Sequence, residues 1–231
     1  MSGLGPEGRV AFYYAPEPGD PLAEAAASWL GWDAERAEQR AQPDLPDIGA
    51  ITAEARGYGF HATLKPPMRL RDGVGWGDVL AAASEIAAAV PAFDMPPLHI
   101  TDLHGFLALR EAAPAPALQA FADACVAGAE GLRAPASAAE LARRRQGGAL
   151  PAAQEANLVR WGYPYVFATW FFHMTLTRRL NAAERAAFMP AAERHFAAAL
   201  AERRRVAALC LFTQAGPGAA FVLAERIRLA G

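Results

Sequence analysis

The chain has 231 residues, 53% hydrophobic and 20% charged, with 22 Lys plus Arg against 24 Asp plus Glu and a net charge of −2. That composition supplies one full core, excludes disorder of the whole chain and predicts one domain, or one domain of two lobes. It also argues against duplex DNA as a partner, since a polyanion usually demands a basic excess.

Residues 9–15, β-branched and aromatic, predict an opening strand that stops at the Pro16-Glu17-Pro18-Gly19-Asp20 turn signal. Leu22, Ala25, Ala26, Trp29 and Leu30 follow at helical spacing, so 21–31 predicts an amphipathic helix ending near Gly31. Residues 33–56 are polar and broken by Pro43 and Pro46, and predict loop plus short helix. A strand at 58–65 is closed by Pro66-Pro67, and Val79–Val90 reads as a helix. Short strands at 98–101 and 105–110 precede a helix over 116–129. Residues 132–157 read as a polar helical insertion with a Gly147-Gly148 break. The stretch 165–177 is the most strand-like of the chain. A long helix at 182–204 and strands at 206–213 and 220–229 complete the order. Without regular βα alternation, a Gly-x-Gly-x-x-Gly turn or a Walker sequence, the expected class is α+β with mainly antiparallel sheet.

Cys125 and Cys210, the only cysteines, make neither a disulfide framework nor a cysteine-based zinc site. No apolar run reaches the ~18–20 residues a membrane helix needs, and residues 1–7 lack the regions of a signal peptide, so a cytoplasmic protein without membrane contact is expected.

One internal repeat stands out. His61-Ala62-Thr63-Leu64 recurs 112 residues later as His173-Met174-Thr175-Leu176, preceded in each case by a phenylalanine, Phe60 or Phe172. Alternation along a strand puts His61, Thr63 and Lys65 on one face, and His173, Thr175 and Thr177 on one face of the second copy. If the halves pack about a pseudo-twofold axis, both polar edges meet in one cleft. Two imidazoles there supply an acid and a base near neutral pH, and two hydroxyls donate to the oxygens of a phosphoryl transition state. Two histidines without a correlated Asp, Glu or Cys are an incomplete metal set, so no metal and no cofactor are expected.

The doubled His-x-Thr-Leu resembles the 2H phosphoesterase superfamily, with two His-x-(Ser/Thr)-x motifs on a bilobal α+β fold. Tyr58–Pro67, Gly105–Leu109 and Arg160–Val166 are similar to one bacterial branch, the family of unknown function 1045, often encoded beside phosphonate-utilisation genes. The resemblance runs from about Arg9 to the C-terminus. It implies one bilobal domain over 1–231, with two antiparallel sheets flanking a central cleft, motif halves at 9–115 and 116–231, and the helical insertion at about 132–157. It implies a metal-independent phosphodiesterase acting on a small cyclic phosphodiester, either a nucleoside 2′,3′-cyclic phosphate or a ribose cyclic phosphate. His173 is then the base and His61 the acid. RNA end processing or 2′–5′ ligation, and a non-catalytic module binding a phosphorylated metabolite, are the alternatives.

Thr63, Thr175 and Lys65 are the candidate phosphate ligands. Lys65 is the one lysine of the chain. Tyr13 or Tyr14, Tyr58, Tyr163, Tyr165, Arg56 and Arg160 are candidate pocket residues, weighed against ordinary aromatic packing and surface solvation. The basic runs 143–145, 178–179 and 203–205 read mainly as solvated faces, with RNA contact the lesser reading. His99, His104 and His195 lack the full His-x-Thr-Leu tetrad and are assigned no chemistry.

Overall fold

The computed structural model describes residues 7–145 and 148–231; residues 1–6 and the Gly147 of the Gly147-Gly148 break lie outside the described residues. The opening run forms β1 (Arg9–Tyr14), which turns Val10, Phe12 and Tyr14 into the main core and Ala11 and Tyr13 to the opposite face. Helix α1 (Pro21–Leu30) starts at Pro21, with the Asp20 carboxylate accepting the Leu22 N–H at 2.8 Å, and ends on Gly31 at φ 76°. Both ends use cap chemistry written in the sequence. The polar segment then holds β2 (Trp32–Asp33), β3 (Glu38–Gln39), α2 (Ile48–Ile51) and α3 (Ala53–Tyr58). The remaining elements of the first half are β4 (Ala62–Met68), α4 (Trp76–Ala89), β5 (Phe93–Asp94), β6 (Leu98–Leu103) and β7 (Phe106–Glu111). Then come α5 (Pro116–Gly128), α6 (Ala138–Arg145), α7 (Ala152–Trp161), β8 (Met174–Thr175) and α8 (Ala182–Ala201). The chain closes with β9 (Arg205–Val206), β10 (Ala208–Gln214) and β11 (Val222–Arg228).

Seven strands make one sheet in the order β11-β10-β1-β4-β8-β7-β6, every neighbouring pair antiparallel. The fold class is α+β. The two expected antiparallel sheets are halves of this one sheet, β11-β10-β1-β4 and β8-β7-β6, joined where Ala62 pairs with Met174. The Trp170 indole N–H donates to the Thr63 carbonyl at 2.9 Å across the same seam. The motif halves at 9–115 and 116–231 are not the halves of the sheet. The hairpin β6–β7 is a local unit whose β7 edge takes β8, while β1 takes β4 on one edge and β10 on the other.

Helices α1, α4, α5 and α8 cover one face of the sheet, around Trp29, Val79, Phe121, Phe172 and Phe196. Burying this many large apolar side chains, at about 1.5–3 kcal/mol each, provides the main drive for folding. A smaller cluster of Ala11, Tyr13, Cys210, Phe212 and Phe221 lies on the opposite face, beneath the β1–β10 side of an open groove. No described helix is long and apolar enough to cross a membrane.

Two local departures shape the groove. Only Met174–Thr175 of the 165–177 stretch is strand, and a 3₁₀ turn occupies Phe167–Thr169. Its carbonyls are taken by side chains rather than by a neighbouring strand: Asn157 donates to Val166 at 3.0 Å and Gln119 to Phe167 at 3.1 Å. Tyr58 ends α3 instead of opening a strand, and Gly59 follows at φ 72°. A Cβ on Gly59 would lie 2.6 Å from the Ala34 Cβ, so both conformation and space require glycine there.

Candidate active site

The two motifs sit side by side at the centre of the sheet. Because Ala62 faces Met174, the antiparallel pattern sets His61 opposite Thr175 and Thr63 opposite His173. The two histidines then lie on a diagonal of roughly 7–8 Å between backbones, and somewhat less between side chains. Around the second motif burial alternates as the strand rule requires: Phe172, Met174 and Leu176 are buried, while Phe171, His173 and Thr175 are partly exposed to the groove.

Both imidazoles are oriented in the same way. His61 Nδ1 lies 2.9 Å from the Gly59 carbonyl, and His173 Nδ1 lies 3.3 Å from the Phe171 carbonyl, two residues upstream in each case. A carbonyl only accepts, so each Nδ1 carries the hydrogen and each Nε2 keeps its lone pair. At His61 that lone pair accepts the Thr63 hydroxyl at 3.2 Å. Aromatic rings hold the imidazoles: Tyr13 stacks on His61 at 3.7 Å and 15°, and Phe171 stacks on His173 at 5.0 Å and 30°, with Phe106 edge-on at 6.2 Å.

Burial drives the His61 imidazole down to about 4; the Gly59 hydrogen bond opposes this and the His173 charge adds to it. Burial also lowers His173, opposed by its bond to Phe171. Both rings are therefore neutral at pH 7 in the free protein. An entering phosphodiester anion favours protonation of either ring.

The groove over these residues has a volume of about 1170 Å³. His61, Thr63, His173, Thr175, Tyr13, Tyr58 and Tyr163 all line it. Five candidates do not, Tyr14 among them because β1 turns its side chain into the main core. Lys65 leaves the His61 face because a β-bulge lies between the Thr63–Tyr13 and Lys65–Phe12 pairings, which turns its side chain to the core. There it is 1% exposed and donates to Glu130 at 2.7 Å and to the Val126 carbonyl at 3.2 Å. Burial pulls the Lys65 ammonium below its ordinary range. Burial also works against the Glu130 carboxylate, but hydrogen bonds from Arg133 and Lys65 hold it below its own range. The 2.7 Å contact marks a charged pair. Arg56 ties down the loop beneath α3 through the Leu30 and Gly49 carbonyls, Gln42 and Thr52. Arg160 is exposed on α7, over the Trp161 ring at 4.7 Å. Tyr165 stands behind Phe171 at 6.1 Å and supports the ring that stacks on His173.

The groove also recruits Arg9, Arg69, Arg143, Arg144, Arg178, Arg179 and Phe106. Part of the basic runs thus faces the site rather than bulk solvent, while Arg145 pairs outward with Glu155 at 2.6 Å. No local signal separates Arg144 from Arg145, whereas Phe171 was within reach of the strand rule, two residues before His173. Among the described residues no group of three His, Cys, Asp or Glu is placed to hold a metal ion.

An α+β protein with two His-x-Thr motifs abreast on the central strands of an antiparallel sheet, both facing one groove, is thereby defined. The chain belongs to the family described as protein of unknown function (DUF1045), whose model matches residues 63–222. A protein of Janthinobacterium sp. (strain Marseille) named ribose 1,5-bisphosphate phosphokinase PhnN is 40% identical over 232 residues, covering 96% of this chain and 51% of that protein. One of the same name from Laribacter hongkongensis (strain HLHK9) is 34% identical over 225 residues, covering 96% and 52%. The chain spans about half the length of these curated relatives. Among solved structures, E. coli LigT complexed with 3′-AMP aligns at a TM-score of 0.45 and 15% identity, covering 96% of this chain and 98% of that one. A phosphoesterase aligns at 0.43 and 12%, covering 96% and 99%.

Proposed function

We propose that this chain is a 2H-type phosphodiesterase that opens a small cyclic phosphodiester without a metal. The observation that carries the reading is that His61, Thr63, His173 and Thr175, from motifs 112 residues apart, line one groove, with both Nε2 atoms free of backbone partners among the described residues. One Nε2 takes a proton from water as the water oxygen bonds to phosphorus. The ester P–O bond breaks on the opposite side, and the other imidazolium protonates the departing alkoxide. One water is consumed, and the two histidines exchange protonation states, to be reset through solvent. Following the resemblance, His173 is the base and His61 the acid, which gains its proton as the phosphate anion enters. The Thr63 and Thr175 hydroxyls donate to the non-bridging oxygens, where charge accumulates.

A ribose cyclic phosphate is the substrate we favour, in keeping with the ribose phosphate ester in the relatives' name. Their phosphokinase activity is not carried over. The chain has no Walker sequence, and its one lysine, Lys65, is buried in an ion pair away from the groove. The test is turnover in EDTA of 2′,3′-cyclic nucleotides, ribose cyclic phosphates, 2′–5′ oligonucleotides and 3′,5′-cyclic nucleotides. Hydrolysis of a five-membered cyclic phosphate that survives chelation supports the reading. Activity abolished by EDTA and restored by a divalent metal overturns the mechanism.

A further inference from the structure

The groove is larger than the reacting ester needs. Its volume of about 1170 Å³ exceeds the span of roughly 300–1,000 Å³ that encloses drug-sized ligands. Six arginines and three glutamates line it, although the whole chain carries −2. Two of the arginines are already paired, Arg69 with Glu140 and Arg178 with Glu184, each at 3.0 Å.

Arg144 is different. Its guanidinium lies 4.7 Å over the Tyr163 ring, it is partly buried, and it makes no ion pair among the described residues. Burial holds it below the ordinary arginine range. Arg9, likewise without a carboxylate partner among the described residues, is held by Gln214 Oε1 at 2.8 Å and lies 5.3 Å over the Phe221 ring. Tyr13 connects both to the reacting groups. Its ring stacks on His61, and its phenol, raised mainly by burial, feels the charges of Tyr58, Tyr163, Arg9 and Arg144. The Glu140 carboxylate acts on Arg144 only at a distance and is itself paired with Arg69, while Arg143 and Arg9 repel it; a partly desolvated guanidinium without an ion-pair partner is costly, and an arriving anion lowers that cost.

We propose that Arg9 and Arg144, among the Tyr13, Tyr58 and Tyr163 phenols, form a second anion subsite for a phosphomonoester carried by the same molecule whose cyclic diester lies between His61 and His173. This deepens the phosphodiesterase reading and rests on it. Two guanidinium forks and three phenols offer more donors than the two oxygens of a carboxylate use. They match the three terminal oxygens and near −2 charge of a phosphomonoester. The substrate class is a sugar that bears both a cyclic phosphodiester and a terminal phosphate, a ribose cyclic phosphate 5-phosphate among them.

The experiment compares ribose 1,2-cyclic phosphate with its 5-phosphate, and adenosine 2′,3′-cyclic phosphate with its 5′-phosphate, in the wild-type chain, Arg144→Met and Arg9→Gln. Charged hydrogen bonds of about 1.5–3 kcal/mol set the scale. The wild type should prefer the phosphorylated member by about 10–100-fold in kcat/KM, and each variant should collapse that ratio. A wild-type ratio near one, or a ratio that both variants preserve, overturns the subsite. So does a stronger preference for a dinucleotide cyclic phosphate, whose second anion is a diester. Binding separates this proposal from the activity. Ribose 5-phosphate should bind the wild type and His173→Ala alike and be lost in Arg144→Met, even if no cyclic ester is turned over. Equal competition by inorganic phosphate would assign the site to a free anion instead. Circular dichroism of each variant confirms folding, and Arg144→Lys, which keeps the charge without the fork, should recover part of the ratio.

Discussion

The surroundings of His61 and His173 are related by sequence but differently built. His61 stands at the head of a seven-residue strand, its Nδ1 bond is 2.9 Å, Thr63 already donates to its Nε2, and Tyr13 covers it nearly face to face. His173 precedes a two-residue strand, its Nδ1 bond is 3.3 Å, and Phe171 covers it at 5.0 Å. Charged groups reach it as well: Arg110 lowers it and Glu111 raises it. One imidazole is locked and strongly desolvated, while the other is held less tightly beside ionised neighbours. Near-identical tetrads thus sit in unequal surroundings: burial lowers both imidazoles, and the charges of Arg110 and Glu111 act on His173 alone.

Mutation of the four side chains tests whether the two surroundings form one machine. His61→Ala and His173→Ala should each lower turnover by about 10²–10⁴, and the double variant should be little worse than the poorer single, since groups acting as a unit are not additive. Thr63→Val and Thr175→Val should each cost on the order of 10²–10³ in kcat, with less effect on KM. Full multiplicativity of the two histidine effects would divide them into separate sites.

A stability measurement sharpens the same contrast from behind the His61 strand. Glu130→Gln leaves the buried Lys65 ammonium without its carboxylate and should cost about 3–5 kcal/mol in urea unfolding. Lys65→Met should cost less, because Glu130 keeps Arg133 at 2.6 Å. As Lys65 is turned from the groove, its replacement should leave kcat within about threefold of wild type, as expected of changes away from the reacting groups. A loss on the scale of the threonine variants would return Lys65 to the site.

The smallest effects are in pH. Both imidazoles are lowered from 6.5 in the free protein, His61 to about 4, so the bell of kcat/KM should centre below pH 6.5. The bell of kcat, which reports the bound complex, should centre higher, because the phosphate anion raises both rings. Folding stability follows from the same shift. Between pH 6.5 and about 4 the unfolded chain binds more protons at His61 than the folded one, so stability falls as pH falls through that window. His61→Gln, which does not titrate, should flatten that slope. An unchanged slope would place the desolvated group elsewhere.

The two tetrads were legible in the sequence because a period of two survives burial: the same alternation that sends Phe172, Met174 and Leu176 to the core leaves His173 and Thr175 in the groove. The same rule failed at Lys65, where a bulge that leaves no mark in residue spacing reverses the face. It failed again over 165–177, where Asn157 and Gln119 satisfy carbonyls that a strand would otherwise pair. Helix α1 was readable from Asp20, Pro21 and Gly31, whose roles are local. The strand order was not, since β10 and β11 cross from the end of the chain to β1, and such pairings depend on tertiary packing. Arg9 and Arg144 line one groove with Tyr13 for the same non-local reason.

If both histidines act on one phosphate, both imidazoles must respond to the same bound ligand. Side-chain nitrogen NMR of the two imidazoles, titrated with pH and then with a non-hydrolysable cyclic phosphodiester analogue, tests it most directly. Both rings should be Nδ1–H tautomers, titrate below 6.5 in the free protein with His61 near 4, and shift upward along a single binding curve. Two curves with separate affinities, or one ring that ignores the analogue, would contradict it.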